Sequence, residues 1–96
     1  MTQYLIGKHM AVMEGQDGHI FVTRPSILSH TISTVMMKTD AKKVAEWLLA
    51  RKHMGGISND MVQNMFPELS GDEREFLMTG ITKEEWARTF PEKDDK

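Results

Sequence analysis

The chain has 96 residues, 40% hydrophobic and 27% charged, with seven glycines, three prolines and no cysteine. That is the size and composition of one small globular domain, 1–96; barrels and doubly wound sheets need a longer chain, and disulfides, thiol catalysis and cysteine-ligated zinc are excluded. The net charge of −2 hides an imbalance, +3 over residues 1–56 and −5 over residues 57–96, and without a continuous basic stripe to neutralise phosphates, nucleic acid is disfavoured as a partner.

The first segment, 1–39, reads mainly as strand. Tyr4, Leu5 and Ile6 open an apolar run that continues through Met10 and Val12, with Met13 beside them. It leads to Gly15-Gln16-Asp17-Gly18, whose Gly and Asp content marks a hairpin turn. Ile20 to Arg24 supply the return strand, and Pro25 ends its pairing because it has no backbone donor. A third strand is predicted from Thr31 to Lys38. Its alternation is imperfect and leaves either face open to burial; the reading puts Ile32 and Met36 inward with Val35 partly covered.

At Asp40 the period changes from two to 3.6, and Asp40 is a good N-cap for a helix running to Arg51. Ala41, Val44, Ala45 and Leu48, with Trp47 or Leu49, make its apolar stripe. Met54-Gly55-Gly56 stops it, and Ser58 or Asn59 starts a short helix through Met61, Val62, Met65 and Phe66, broken at Pro67. Ser70 and Glu73 have capping-box spacing, as do Thr82 and Glu85, where Ile81 and Trp86 occupy the hydrophobic-staple positions. Two short helices joined near Gly80 are therefore expected, with Phe76, Leu77, Trp86 and Phe90 as shared core and 91–96 as a frayed tail. The fold class is α+β, a small antiparallel sheet of an N-terminal hairpin plus a third strand, packed against three to four short helices spanning 40–90.

Motifs for chemistry are sparse. His9, His19, His30 and His53 lack the helical i, i+4 spacing of a metal site; only His9 and His19 have a route to each other, across the first hairpin. No serine sits in a glycine-flanked elbow, and the paired carboxylates lie in first helical turns, where the helix dipole explains them. Gly55-Gly56 lacks the lysine and preceding strand of a phosphate loop. The chain is therefore read as a non-enzyme with no cofactor and no metal. No apolar run approaches the roughly 20 residues that span a bilayer, and no basic-then-apolar leader opens the chain, so the expected location is the cytoplasm.

What remains is compositional. Nine methionines in 96 residues is high, and methionine serves both irregular cores and adaptable binding grooves. Met61 and Met65 with Val62 and Phe66 form either a seam between helices or a surface that docks a partner or a second copy of the chain. The acidic C-terminal half is either a solvated helical surface or a face for a basic protein, where charge complementarity speeds encounter.

Residues 65–90, MFPELSGDEREFLMTGITKEEWARTF, resemble a recurrent segment of small bacteriophage and prophage proteins without assigned function. Its typical form is an FP-x-L-S step, then REFL, a Gly-Ile-Thr or Gly-Thr-Thr turn, E-E-W and a final Phe. Residues 29–37 and the Trp47 helix are also similar, so the likeness covers 29–90; Lys83 stands where the pattern has proline. The resemblance implies a phage-borne accessory protein acting in the bacterial cytoplasm. The leading expectation is that it binds another protein and modulates a host enzyme or defence system, using Asp72, Glu75, Glu84, Met61 and Met65. The alternative is an oligomer that binds a small ligand or nucleotide with His30, Lys42, Lys43 or Arg51 across a subunit boundary.

Overall fold

The computed structural model describes residues 2–53 and 64–90. Among these residues four strands, β1 (Gln3–Gly7), β2 (Met10–Glu14), β3 (His19–Pro25) and β4 (Ile32–Lys38), precede the helices α1 (Ala41–His53), α2 (Gly71–Thr79) and α3 (Lys83–Thr89). The strands form one antiparallel sheet in the order β1-β2-β3-β4, so β1 and β4 are its edges. The α+β class is as expected, with one more strand. The N-terminal apolar run is not continuous: it reverses at Lys8-His9, where Gly7 faces Met10 and the register shifts between Leu5 and Gly7. Such a bulge sharpens the local twist and brings the chain back on itself within two residues.

Gly15 to Gly18 make the predicted β2–β3 turn. Asp17 and Gly18 both have positive φ, and the Gly15 amide donates to the His19 carbonyl at 2.8 Å. At Gly15 a Cβ would stand 2.9 Å from the Phe21 ring, so the close approach of that ring requires glycine. His9 and His19 fall at opposite ends of the hairpin, separated by the length of β2, roughly 17 Å for five residues. Among the described residues no group of three His, Asp or Glu side chains is placed to hold a metal ion.

Register decides which face of the sheet is covered. Tyr4 lies opposite Val12, Val12 opposite Val22 and Val22 opposite Val35, and this row turns toward the helices. Ile20 and Val22 are buried, so their partners Met37 and Val35 turn inward with them. The inward assignment of Ile32 and Met36 is corrected: they are 48% and 54% exposed on the outer face. A period of two means that β3 sets the parity of the whole of β4.

The inner face is closed by α1, which crosses β1 and β2, and by α2 beside β4. Asp40 caps α1 as predicted, its Oδ1 accepting from the Lys42 amide at 3.0 Å. Ala41, Val44, Ala45, Trp47 and Leu48 are buried, whereas Leu49 is exposed. Trp47 meets Phe66 edge to face at 6.1 Å, and Phe66, Leu69, Phe76 and Leu77 complete the core. The short helix read from Ser58 to Phe66, with Met61 and Val62, lies outside the described residues up to position 63, as does the tail 91–96. No helix among the described residues is long and apolar enough to cross a membrane.

Candidate functional site

The two capping boxes of the C-terminal third end differently, and the difference builds the site. At Ser70 the box is complete: the Glu73 amide donates to Ser70 Oγ at 3.1 Å and the Ser70 amide to Glu73 Oε1 at 2.9 Å. Arg74 locks the preceding turn by donating to the Leu69 carbonyl at 2.6 Å. At Thr82 only half a box forms. Thr82 Oγ1 accepts from the Glu85 amide at 3.1 Å, but the Glu85 carboxylate turns inward and accepts from the Ser26 hydroxyl at 3.1 Å.

That bond clamps the corner between α2 and α3 to the loop between β3 and β4. Ser26 is 1% exposed and Glu85 6%. The Ser26 hydroxyl also accepts from the amides of Leu28 (3.0 Å) and Ser29 (3.3 Å), and the Ile27 amide donates to the Thr79 carbonyl at 2.9 Å. Arg24, equally buried, donates from Nη1 to the Leu77 carbonyl at 2.7 Å and from Nε to the Pro25 carbonyl at 3.2 Å. Burial and, next, the nearby positive charge of Arg51 lower its pKa to about 10. Gly80 ends α2 with φ 77°, donating to the Phe76 carbonyl, and a Cβ there would lie 2.1 Å from the Pro25 carbonyl oxygen. The buried side chains of Arg24, Ser26 and Glu85 are each hydrogen-bonded within this cluster, which ties the β3–β4 loop to α2 and α3 as a joint.

The joint fixes how α2 and α3 face outward. A groove of about 720 Å³ runs between the β4 edge, at Ser33 to Val35, and the first turns of both helices, bordered by Asp72, Glu73, Lys83, Glu84 and Arg88. A smaller depression of about 240 Å³, sharing Asp72, Thr82 and Lys83 with it, is lined by Glu75, Ile81 and Trp86. Here the core assignment of Trp86 and Phe90 is corrected. They are 46% and 51% exposed, with ring centroids 4.9 Å apart, while Ile81 alone of the staple pair is buried. Because Glu85 takes the inward direction on α3, Trp86, the next residue round the helix, is carried outward.

Of the residues predicted to bind a partner, Asp72, Glu75 and Glu84 come together on this surface. Met65 does not join them; it is half-buried against the core, and Met61 lies outside the described residues. The residues of the ligand-binding alternative are spread out. His30, at φ 64°, sits in the β3–β4 loop, a strand length of roughly 20 Å from Lys42 and Lys43 across β4. Lys43 Nζ lies 5.2 Å over the Phe66 ring and the Arg51 guanidinium 5.2 Å over Trp47, so both cover aromatic core residues. Arg24, Ser26, Trp86 and Phe90 were not predicted for the site. The spacing of Glu85 from Thr82 pointed to a cap and gave no sign of a partner 59 residues away.

Fold and site together define a small α+β domain, a four-stranded antiparallel meander covered on one face by helices, with an acidic and aromatic surface on α2 and α3. No family model, curated protein or solved structure matches the chain.

Proposed function

We propose that this chain is a small non-enzymatic accessory protein of the phage type, which binds another protein in the bacterial cytoplasm and modulates a host enzyme or defence system. The observation that carries the reading is the exposed Trp86–Phe90 pair, set beside Asp72, Glu75 and Glu84. Tryptophan is the side chain most enriched among residues that dominate binding energy, and a half-exposed one has apolar area still to bury. The acidic rim supplies attraction for a basic partner, and Lys83 and Arg88 inside the same groove restrict which charge patterns fit. The partner's surface is therefore basic with an apolar recess for an indole. The small-ligand alternative has less support, since His30 and the Lys42–Lys43 pair stand at opposite ends of β4 within one copy of the chain.

The experiment is a parallel capture from lysate of a bacterial host at low and high salt, with the wild-type chain and Trp86→Ala as baits and mass spectrometry as the readout. One stoichiometric protein, retained by wild type, weakened by salt and lost with Trp86→Ala, is the expected result. The same protein held equally by both baits, or a bound small molecule without a protein, would overturn the reading.

A further inference from the structure

The outer face of the sheet has no helix over it among the described residues, and it is apolar. Two cross-strand rows make it up: Gln3, Met13, Phe21 and Met36 in one, Leu5, Ala11, Thr23 and Thr34 in the next, with Pro25 and Ile32 beyond. Leu5 is 75% and Met13 42% exposed, beside the exposed Ile32 and Met36. Thr23 and Thr34 hydroxyls bond to each other at 2.8 Å, which satisfies part of the polar capacity at the centre of the face internally. The formal charge along the face stands at one end, with Lys38, which pairs with His19, and Asp17 in the neighbouring turn.

From this face we infer a second interaction surface, and its occupant is a second copy of the chain, packed sheet against sheet. Three features select that occupant. First, its two formal charges, Lys38 and Asp17, are opposite and confined to one end, so the rest of the face offers nothing to steer a charged partner and nothing that repels its own copy. A two-fold axis along the strands sets β1 of one copy over β4 of the other, which keeps the two Lys38 side chains apart.

Second, the face has a knob and a hole. Leu5 stands out from the β1 edge, and a depression of about 400 Å³, lined by Gly15, Gln16, Asp17, His19, Phe21 and Met36, opens on the β3–β4 side. The same two-fold brings Leu5 of each copy to within one row of the other's depression. Third, four strands at a spacing of about 4.8 Å and up to about 23 Å long give a projected face of roughly 400 Å², and side-chain relief raises the area buried by two such faces to roughly 1,000 Å² or more. That is the lower bound for a specific interface, consistent with a reversible, micromolar dimer.

Sedimentation velocity over a concentration series, with the full chain, tests the dimer. The wild type is expected to pass from monomer to dimer in the micromolar range. Met36→Lys and, at the other edge of the face, Leu5→Lys should each weaken the dimer about tenfold or more, while Ala50→Lys, the same charge change on the exposed side of α1, should leave it unchanged. Thermal unfolding of each variant separates loss of the dimer from loss of the fold. A wild type that stays monomeric throughout, or a dimer indifferent to both face substitutions, would overturn the inference; the Trp86 surface is read by a different assay and stands or falls separately.

Discussion

The two faces of the sheet are built from the same strands and meet opposite fates. On the inner face Val12, Val22 and Met37 are fully enclosed by α1, α2 and the Trp47–Phe66 pair; on the outer face Leu5, Met13, Ile32 and Met36 are equally apolar and remain in contact with solvent. Hydrophobicity alone therefore does not say which side is the core. Coverage is decided by where the chain goes after Lys38, and α1 follows directly from the end of β4 onto the inner face. The two tryptophans repeat the contrast: Trp47 is closed in by Phe66, whereas Trp86 faces outward with Phe90.

Breaking the joint that holds α2 and α3 in place should have an effect as large as the loss of a core aromatic. Gly80→Ala combines a left-handed backbone with a Cβ that overlaps the Pro25 carbonyl, at a cost of roughly 2–5 kcal/mol in the urea midpoint. The tryptophans sharpen the comparison. Trp47→Ala should cost about 3–5 kcal/mol as a buried aromatic truncation, whereas Trp86→Ala should cost less than about 1 kcal/mol and act on partner capture instead. Glu85→Ala removes the acceptor of the Ser26 hydroxyl and should cost roughly 1–3 kcal/mol. Replacement by Gln, which keeps an acceptor, should recover part of that loss.

The smallest expected effect is a pH dependence at the surface. The Glu68 carboxyl is held below its usual range, first by the Thr39 hydroxyl that donates to it, then by its own backbone amide and by Lys43, against a small opposing effect of burial. A carboxyl with a depressed folded-state pKa adds stability above its unfolded value, and that contribution fades as pH falls through the folded value. Solvent screening keeps it below about 0.5 kcal/mol. Melting temperatures of wild type and Thr39→Val should therefore differ slightly at neutral pH and converge in acid; an unchanged difference at low pH would assign it to packing at Thr39.

Much of the fold was legible because local chemistry and final structure agree. Asp40 caps α1, Gly15 to Gly18 turn the hairpin, and Ser70 with Glu73 closes the box that starts α2, each through contacts within three or four residues. Three features escaped because their causes are distant. The parity of β4 depends on its register with β3, and Ile32-Ser33-Thr34-Val35-Met36-Met37 has apolar residues on both sides of the alternation. The reversal at Lys8-His9 carries no Asn, Asp or Pro to announce it. Glu85 leaves its cap for Ser26, a partner that exists only once the β3–β4 loop reaches α3, and that inward turn is what leaves Trp86 outside. Of the site, the acidic side chains were visible in the sequence and the aromatic pair was assigned to the wrong environment.

The outward setting of Trp86 is the point on which the functional account rests, and fluorescence reads it directly. With Trp47→Phe the emission comes from Trp86 alone, and with Trp86→Phe from Trp47 alone. The account predicts red-shifted emission readily quenched by acrylamide in the first variant, and blue-shifted, protected emission in the second. Protected, blue-shifted emission from Trp86 in a folded Trp47→Phe protein would place it in the core and contradict the account.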